Sequence, residues 1–251
     1  MRLPLPSSKL LSTITSLTIT AGGDDEAPRV EWMLDIIEAI PHLKTLKYSG
    51  YDVYSYQPTY IMDYPRIVHL PDLEVADVTT PGCGLELLQC LEAPKLNFVH
   101  LDGEREMGYR EEWIDGHMAQ VSALIKRLPQ RAPYLQRLDL HHIHFLHAET
   151  YAWLINQTEF TRLEELFIES SNIADPAFIL PSTLHGQRLR RIELRGCKHI
   201  TDSGLMIYIK ARRVLGDDDF QLLVSGCPGV RDEHLARLYH LGTAEEVDAD
   251  G

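Results

Sequence analysis

Residues 141–147 read HHIHFLH, with four histidines in seven positions. Imidazole is the commonest side-chain ligand for metals, so divalent-cation binding is the first chemistry to test on this stretch. Ile143 and Phe145 stand among the histidines, which therefore point several ways. No carboxylate or cysteine lies at a recognised ligand spacing from them, so the stretch is read as surface and loop histidines and no metal site is expected. A second candidate is the pair Cys197 and Cys227, each preceded by glycine. A thiol pair can form a disulfide, hold a metal or simply be buried. The sequence has no CxxC, and its four cysteines are too few for a disulfide scaffold. Two buried, reduced thiols are expected. GxSxG, a Walker A loop, HExxH and a GxGxxG after a strand are all missing from the sequence. No catalytic residue and no cofactor is assigned, and the chain is read as a non-enzyme.

The elements that carry these residues are legible as a repeat. LRRIELRGCKHITDSGL (189–205) lies over DFQLLVSGCPGVRDEHL (219–235) without a gap. The shared core is L-x-x-[LI]-x-[LIV]-x-x-C, and its alternation is a strand pattern. The same core begins at Ile14, Leu43, Leu73, Leu96, Leu135 and Leu163, with a mean step of about 29 residues. Strands are therefore expected to begin near 16, 45, 75, 98, 137, 165, 191 and 221. Between strands the period changes. Val30, Met33, Leu34 and Ile37 share a helical face before Pro41, as do Ile114, Met118, Val121, Ile125 and Leu128 before Pro129. Leu205, Tyr208 and Ile209 form one face, and Leu235, Leu238 and Tyr239 another, with Asp202 and Asp232 expected as N-caps.

Neither a strand nor a helix of such a unit buries its apolar side alone, so the units must stack. Strands returned by helices are parallel. The fold class expected is α/β: a curved solenoid of right-handed βα repeats, with a parallel sheet on its concave face and helices outside. Residues 1–243 are read as a single domain of about eight irregular repeats, 102–113 as an insertion loop and 244–251 as an acidic disordered tail. The Thr-rich first strand is expected at an edge, partly covered by MRLPLPSSKLL.

GCKHITDSGL and GCPGVRDEHL resemble the cysteine-containing subclass of leucine-rich repeats, with its G-C-x-x-[IV]-T-D-x-G-L ending. Nearer the N-terminus Ser171, Ile143, Glu104, Pro81, Tyr51 and Gly22 replace the cysteine. The subclass is typical of F-box/LRR proteins, the substrate receptors of cullin-RING ubiquitin ligases. The resemblance implies a protein-interaction scaffold that recognises a ligase substrate. Cullin-RING components would be partners if an F-box stood upstream, but the thirteen residues before Ile14 do not read as its three helices. The alternative is a regulatory or platform subunit unrelated to ubiquitin, or a truncated product without an independent role.

The third, fifth and seventh motif positions face out from the sheet. On the middle and C-terminal strands they are Phe98, His100 and Asp102; Arg137, Asp139 and His141; Phe167 and Glu169; and Arg191, Glu193 and Arg195. Aromatics among charges suit a protein-binding surface, with Phe98 and Phe167 as anchors. The net charge of −13 argues against nucleic acid. No apolar run reaches the roughly 18 residues of a membrane helix. The N-terminus lacks the apolar core of a signal peptide, and the cysteine usage suits the reducing cytoplasm or nucleus.

Overall fold

Alternation of apolar residues produces strands where the motif places them. A computed structural model describes residues 11–21, 30–50, 66–79, 82–103, 111–144, 146–156, 159–178, 188–214, 216 and 219–231. Of residues 21, 82, 83 and 111–120 it describes the backbone path alone. In chain order the elements are β1 (Ser16–Ala21), α1 (Val30–Glu38), β2 (Thr45–Gly50), β3 (Val68–His69), β4 (Val75–Thr79), α2 (Gly82–Gln89), β5 (Leu91–Glu92) and β6 (Phe98–Asp102). There follow α3 (Glu111–Arg131), β7 (Arg137–His141), α4 (Ala148–Asn156), β8 (Glu165–Glu169), a 3₁₀ turn (Asp175–Phe178), β9 (Arg191–Arg195), α5 (Asp202–Val214) and β10 (Gln221–Ser225).

Eight strands form one sheet in the order β1-β2-β4-β6-β7-β8-β9-β10. Every pairing is parallel. The order follows the chain, which is compatible with a solenoid-like arrangement. The register is the motif itself. Its fourth positions, Leu17, Leu46, Ala76, Val99, Leu138, Leu166, Ile192 and Leu222, run straight across the sheet. A slip of one residue would turn each apolar pair to the open face, so the core selects this register.

The inward pairs, such as Leu138 with Leu140 and Ile192 with Leu194, pack into one core with Met33, Leu34 and Ile37 of α1. Val121, Ile125 and Leu128 of α3, Tyr151 and Leu154 of α4, and Leu205 and Tyr208 of α5 complete it. β1 lies at the sheet edge, where Leu17 and Ile19 are only partly buried. The covering segment 1–10, the tail 244–251, Asp232 and the helical face at 235–239 lie outside the described residues, as do most of the insertion and the side chains of Ile114 and Met118.

Three local features differ from the sequence reading. Pro129 does not stop its helix but lies inside α3. It removes a donor only in the last turn, and the Ala132 N–H still reaches the Leu128 carbonyl at 2.7 Å. A second, two-stranded parallel sheet pairs β3 with β5, too short for alternation to show in sequence. Asp202 is the first residue of α5 rather than its N-cap. The Leu205 N–H bonds the Thr201 carbonyl (3.3 Å), and Asp202 Oδ1 accepts from the Arg231 N–H of the following unit (3.1 Å). Asp175 does the same one unit earlier, accepting from the Thr201 N–H (2.7 Å).

The chain leaves β7, β8, β9 and β10 through a left-handed residue: His142 (φ 52°), Ser170 (47°), Gly196 (60°) and Gly226 (62°). That turn drives the next side chain inward, so Ile143, Ser171, Cys197 and Cys227 are buried. They fasten units laterally. The Ile143 N–H donates to Ser171 Oγ (3.1 Å) and the Cys197 N–H to Cys227 Sγ (3.3 Å). The Cys197 thiol faces the Arg195 carbonyl at 3.4 Å and the Ile168 carbonyl at 3.7 Å. Cys90, Cys197 and Cys227 are free thiols. The Cys227 sulfur beside it, together with burial, raises the Cys197 thiol well above its ordinary range. Burial pushes Cys90 up to about 12.

Two outcomes are expected. Maleimide should leave Cys90, Cys197 and Cys227 unlabelled in the folded protein and modify them in denaturant, with Cys197→Ser costing about 1 kcal/mol in chemical denaturation. Fast labelling in the native state contradicts the packing. Gly204→Ala should cost about 2 kcal/mol, because a Cβ there would stand 2.4 Å from Asp175 Oδ1. Asp175 cannot withdraw without releasing Thr201, and an unchanged denaturation midpoint would show that it can.

Candidate functional site

Parallel pairing in this register arranges the outward residues of four strands as a grid. Phe98, Arg137, Glu165 and Arg191 form one row; His100, Asp139, Phe167 and Glu193 the next; Asp102, His141, Glu169 and Arg195 the third. All eleven sequence-predicted site residues are thus on one face of the sheet, and Glu165 joins them. A groove of about 300 Å³ lies over β7–β9, lined by this grid from Arg137 to Arg195.

The two aromatic residues lie low in the face. Phe167 is only 8% exposed. The His141 ring lies 4.8 Å from its centroid and the Arg195 guanidinium 5.0 Å above it. It is the floor of the groove rather than a projecting anchor. Phe98 is half-buried under Arg137, whose guanidinium is 5.3 Å from the ring centroid.

Charges are paired within the face. Arg137 donates to both oxygens of Asp139, from Nε at 2.8 Å and Nη2 at 2.9 Å. Glu193 accepts from Arg191 Nη2 at 2.7 Å and from Arg195 Nη2. In each pair the carboxylate is the sunken partner. The Asp139 side chain is 8% exposed against 48% for Arg137, and Glu193 12% against 53% for Arg195. The Asp139 carboxylate raises the Arg137 pKa further. Burial alone would raise the Glu193 pKa, but hydrogen bonds from Arg191 and Arg195 outweigh it and hold the carboxyl below its ordinary value.

The four histidines of 141–147 do not converge. His141 faces the grid. His142, in the turn, donates from Nδ1 to Asp102 Oδ1 at 2.9 Å. His144 and His147 are exposed, and Phe145 lies outside the described residues. A different set comes together instead: His100, Asp102 and His141 each offer a ligand atom within 4.8 Å of the others. Burial, and then the neighbouring His100, lower the His141 pKa from 6.5 and favour the neutral ring. The grouping was hidden because it crosses strands. Aligning the repeats reveals it, since Asp102 and His141 are both seventh positions and His100 is the fifth in Asp102's own strand. Asp77, a fifth-position residue one strand further on, accepts from His100 Nδ1 at 2.9 Å and pairs with Lys47 at 3.2 Å.

No helix among the described residues is long and apolar enough to cross a membrane. No family model matches the chain, and no curated protein matches it. A solved structure of a Bacteroides fragilis protein from a structural genomics consortium superposes with a TM-score of 0.48 at 15% identity. The match covers 89% of this chain and 68% of that one. A likeness at that level carries neither family nor function.

The double arginine clamp on Glu193 has a pH signature. A carboxyl whose folded pKa is depressed stabilises the fold above its unfolded value, near 4.5, and loses that contribution as pH falls through the folded value. Glu193→Gln should therefore cost about 1 kcal/mol at pH 7. The gap between wild type and variant should shrink as the pH is lowered from 5 towards 3 (a range set by the unfolded carboxyl). Urea denaturation at stepped pH checks this, and a gap independent of pH would remove the clamp.

Proposed function

We propose that the chain is a leucine-rich-repeat protein-interaction module that binds a segment of a partner protein over β7–β9, without catalysis. The observation that supports this is the groove itself. Its floor is the Phe167 ring and its walls are ion pairs with the guanidinium outermost. On a chain of net charge −13, this face offers a local rim of arginine donors. Such a rim suits carboxylates and backbone carbonyls of a bound segment, because a guanidinium can fork to two acceptors. Arginine beside an aromatic is also the pairing that concentrates binding energy at protein interfaces.

The finer reading follows the cysteine-containing repeats. It makes the chain the substrate-recognition part of an F-box-type ubiquitin-ligase receptor, working in the cytoplasm or nucleus with cullin-RING components. A platform subunit unrelated to ubiquitin is the alternative reading.

The test is quantitative affinity purification from the native cell with three baits: wild type, Arg137→Ala/Asp139→Ala and Ile207→Asp. Removing both members of the ion pair strands no buried charge. Ile207 lies on α5 and is 56% exposed. Specific partners should fall about tenfold with the double variant and persist with Ile207→Asp, while circular dichroism is unchanged for all three. The converse pattern moves the binding site to the helices and defeats the proposal. Cullin and adaptor subunits in the wild-type eluate favour the receptor reading; partners without them favour the platform.

A further inference from the structure

We propose that His100, Asp102 and His141 form a three-ligand site for a first-row divalent transition metal, with Zn²⁺ the foremost candidate. The site is built by the register. Asp102 and His141 are paired residues on adjacent strands, and His100 is two residues before Asp102 on the same face of β6. Three side chains on two hydrogen-bonded strands are held by the backbone, which is the rigidity a metal site requires. Two imidazoles and one carboxylate form a donor set that suits zinc and its neighbours rather than magnesium or calcium.

Two further observations set this cluster apart from ordinary surface histidines. The Nε2 atom of His100 is buried without a hydrogen-bond partner. A buried imidazole nitrogen left unsatisfied is unfavourable, and a metal ion would satisfy it. Two of the ligands, His100 and Asp102, also have an outer hydrogen-bond partner, and His141 has a carboxylate nearby. His100 Nδ1 is bonded to Asp77 Oδ1 at 2.9 Å, which places the ring proton on Nδ1 and leaves Nε2 as the lone-pair donor. His141 Nδ1 lies 3.7 Å from Glu169 Oε2. Asp102 Oδ1 accepts from His142 Nδ1 at 2.9 Å. Carboxylates behind metal-binding imidazoles orient the ring and raise its basicity.

The ligand atoms lie within 4.8 Å of one another. A tetrahedral zinc ion holds its ligands about 3.4 Å apart, so binding would draw the three side chains closer together. Three protein ligands leave a fourth position for water or an incoming donor. His141 also lines the groove over β7–β9, so the ion would stand at the edge of that groove. The inference does not depend on a protein ever binding there.

The experiment is a Zn²⁺ titration of the full chain, stripped of metal, in competition with a chromophoric chelator, so that weak surface histidines do not report. One ion per chain is expected. His100→Ala and His141→Ala should each lower the affinity by about 100-fold or more, and Asp77→Asn by about 10–100-fold. Co²⁺ should give the visible absorption of a tetrahedral centre in wild type and lose it in His141→Ala. Failure of wild type to compete, or full retention of affinity in a folded His141→Ala variant, overturns the site. Should His100→Ala fail to fold, the His141 variant and the Co²⁺ spectrum decide alone. Neither readout involves a partner protein, so this result and that of the affinity purification stand or fall separately.

Discussion

The inward apolar pair of each strand is the constraint on which the rest depends. Position four and position six of the motif turn to the helices, and parallel pairing lines them up from Leu17 to Leu222. Because side chains alternate, fixing that pair fixes everything on the other face. The charged and aromatic grid is thus placed by the residues that alternate with it on the opposite face. Leu138 and Leu140 are buried completely, and between and beside them Arg137, Asp139 and His141 have no choice but to face out.

Lateral fastening is the second contribution, and it differs along the array. Where the residue after the left-handed turn is Ser171 or Cys227, its side chain accepts the N–H of the preceding unit. Ile143 occupies the same place but can accept nothing. There the turn is held otherwise: its carbonyl accepts from the buried Tyr151 hydroxyl at 3.0 Å. Aspartates at 175 and 202 add a second row of bonds between units, on the far side of the turn. A repeat whose sequence drifts keeps its geometry because several weak bonds, not one, tie it to its neighbour.

Most of the fold was legible because period-two alternation is a local pattern, and the eight motif strands begin where that pattern places them. What stayed hidden depended on the next unit. Asp202 has the residue type of an N-cap, yet it stands one residue inside α5 and its carboxylate is taken by the Arg231 N–H, which sequence spacing within one repeat cannot show. Phe167 reads as an outward aromatic, and it is one, but His141 and Arg195 on the adjacent strands close over it. The histidine-rich stretch runs along the chain, whereas the close grouping runs across it from His141 to His100 and Asp102. Contacts between paired strands need the register first and the side chains second. Glycine follows the same rule: Gly204 has a helical neighbourhood of its own, and what it makes room for is Asp175 of the unit before.

The electrostatics of the face follow from depth. Asp139 and Glu193 occupy fifth positions, midway along their strands and flanked by neighbours, so they are shielded. Arg137, Arg191 and Arg195 occupy the third and seventh positions and reach across with long side chains. A buried carboxylate without a partner would be strongly destabilising. The arginines are therefore required by the sheet before any ligand arrives. Their outer surfaces remain half in water, where ion pairing contributes little. A guanidinium has five donors, and Asp139 engages Arg137 through Nε and one terminal nitrogen. Arg137 can therefore face a partner's acceptor while still satisfying the acid beneath it. The structural need to cover an acid and the capacity to recognise one reside in the same side chain.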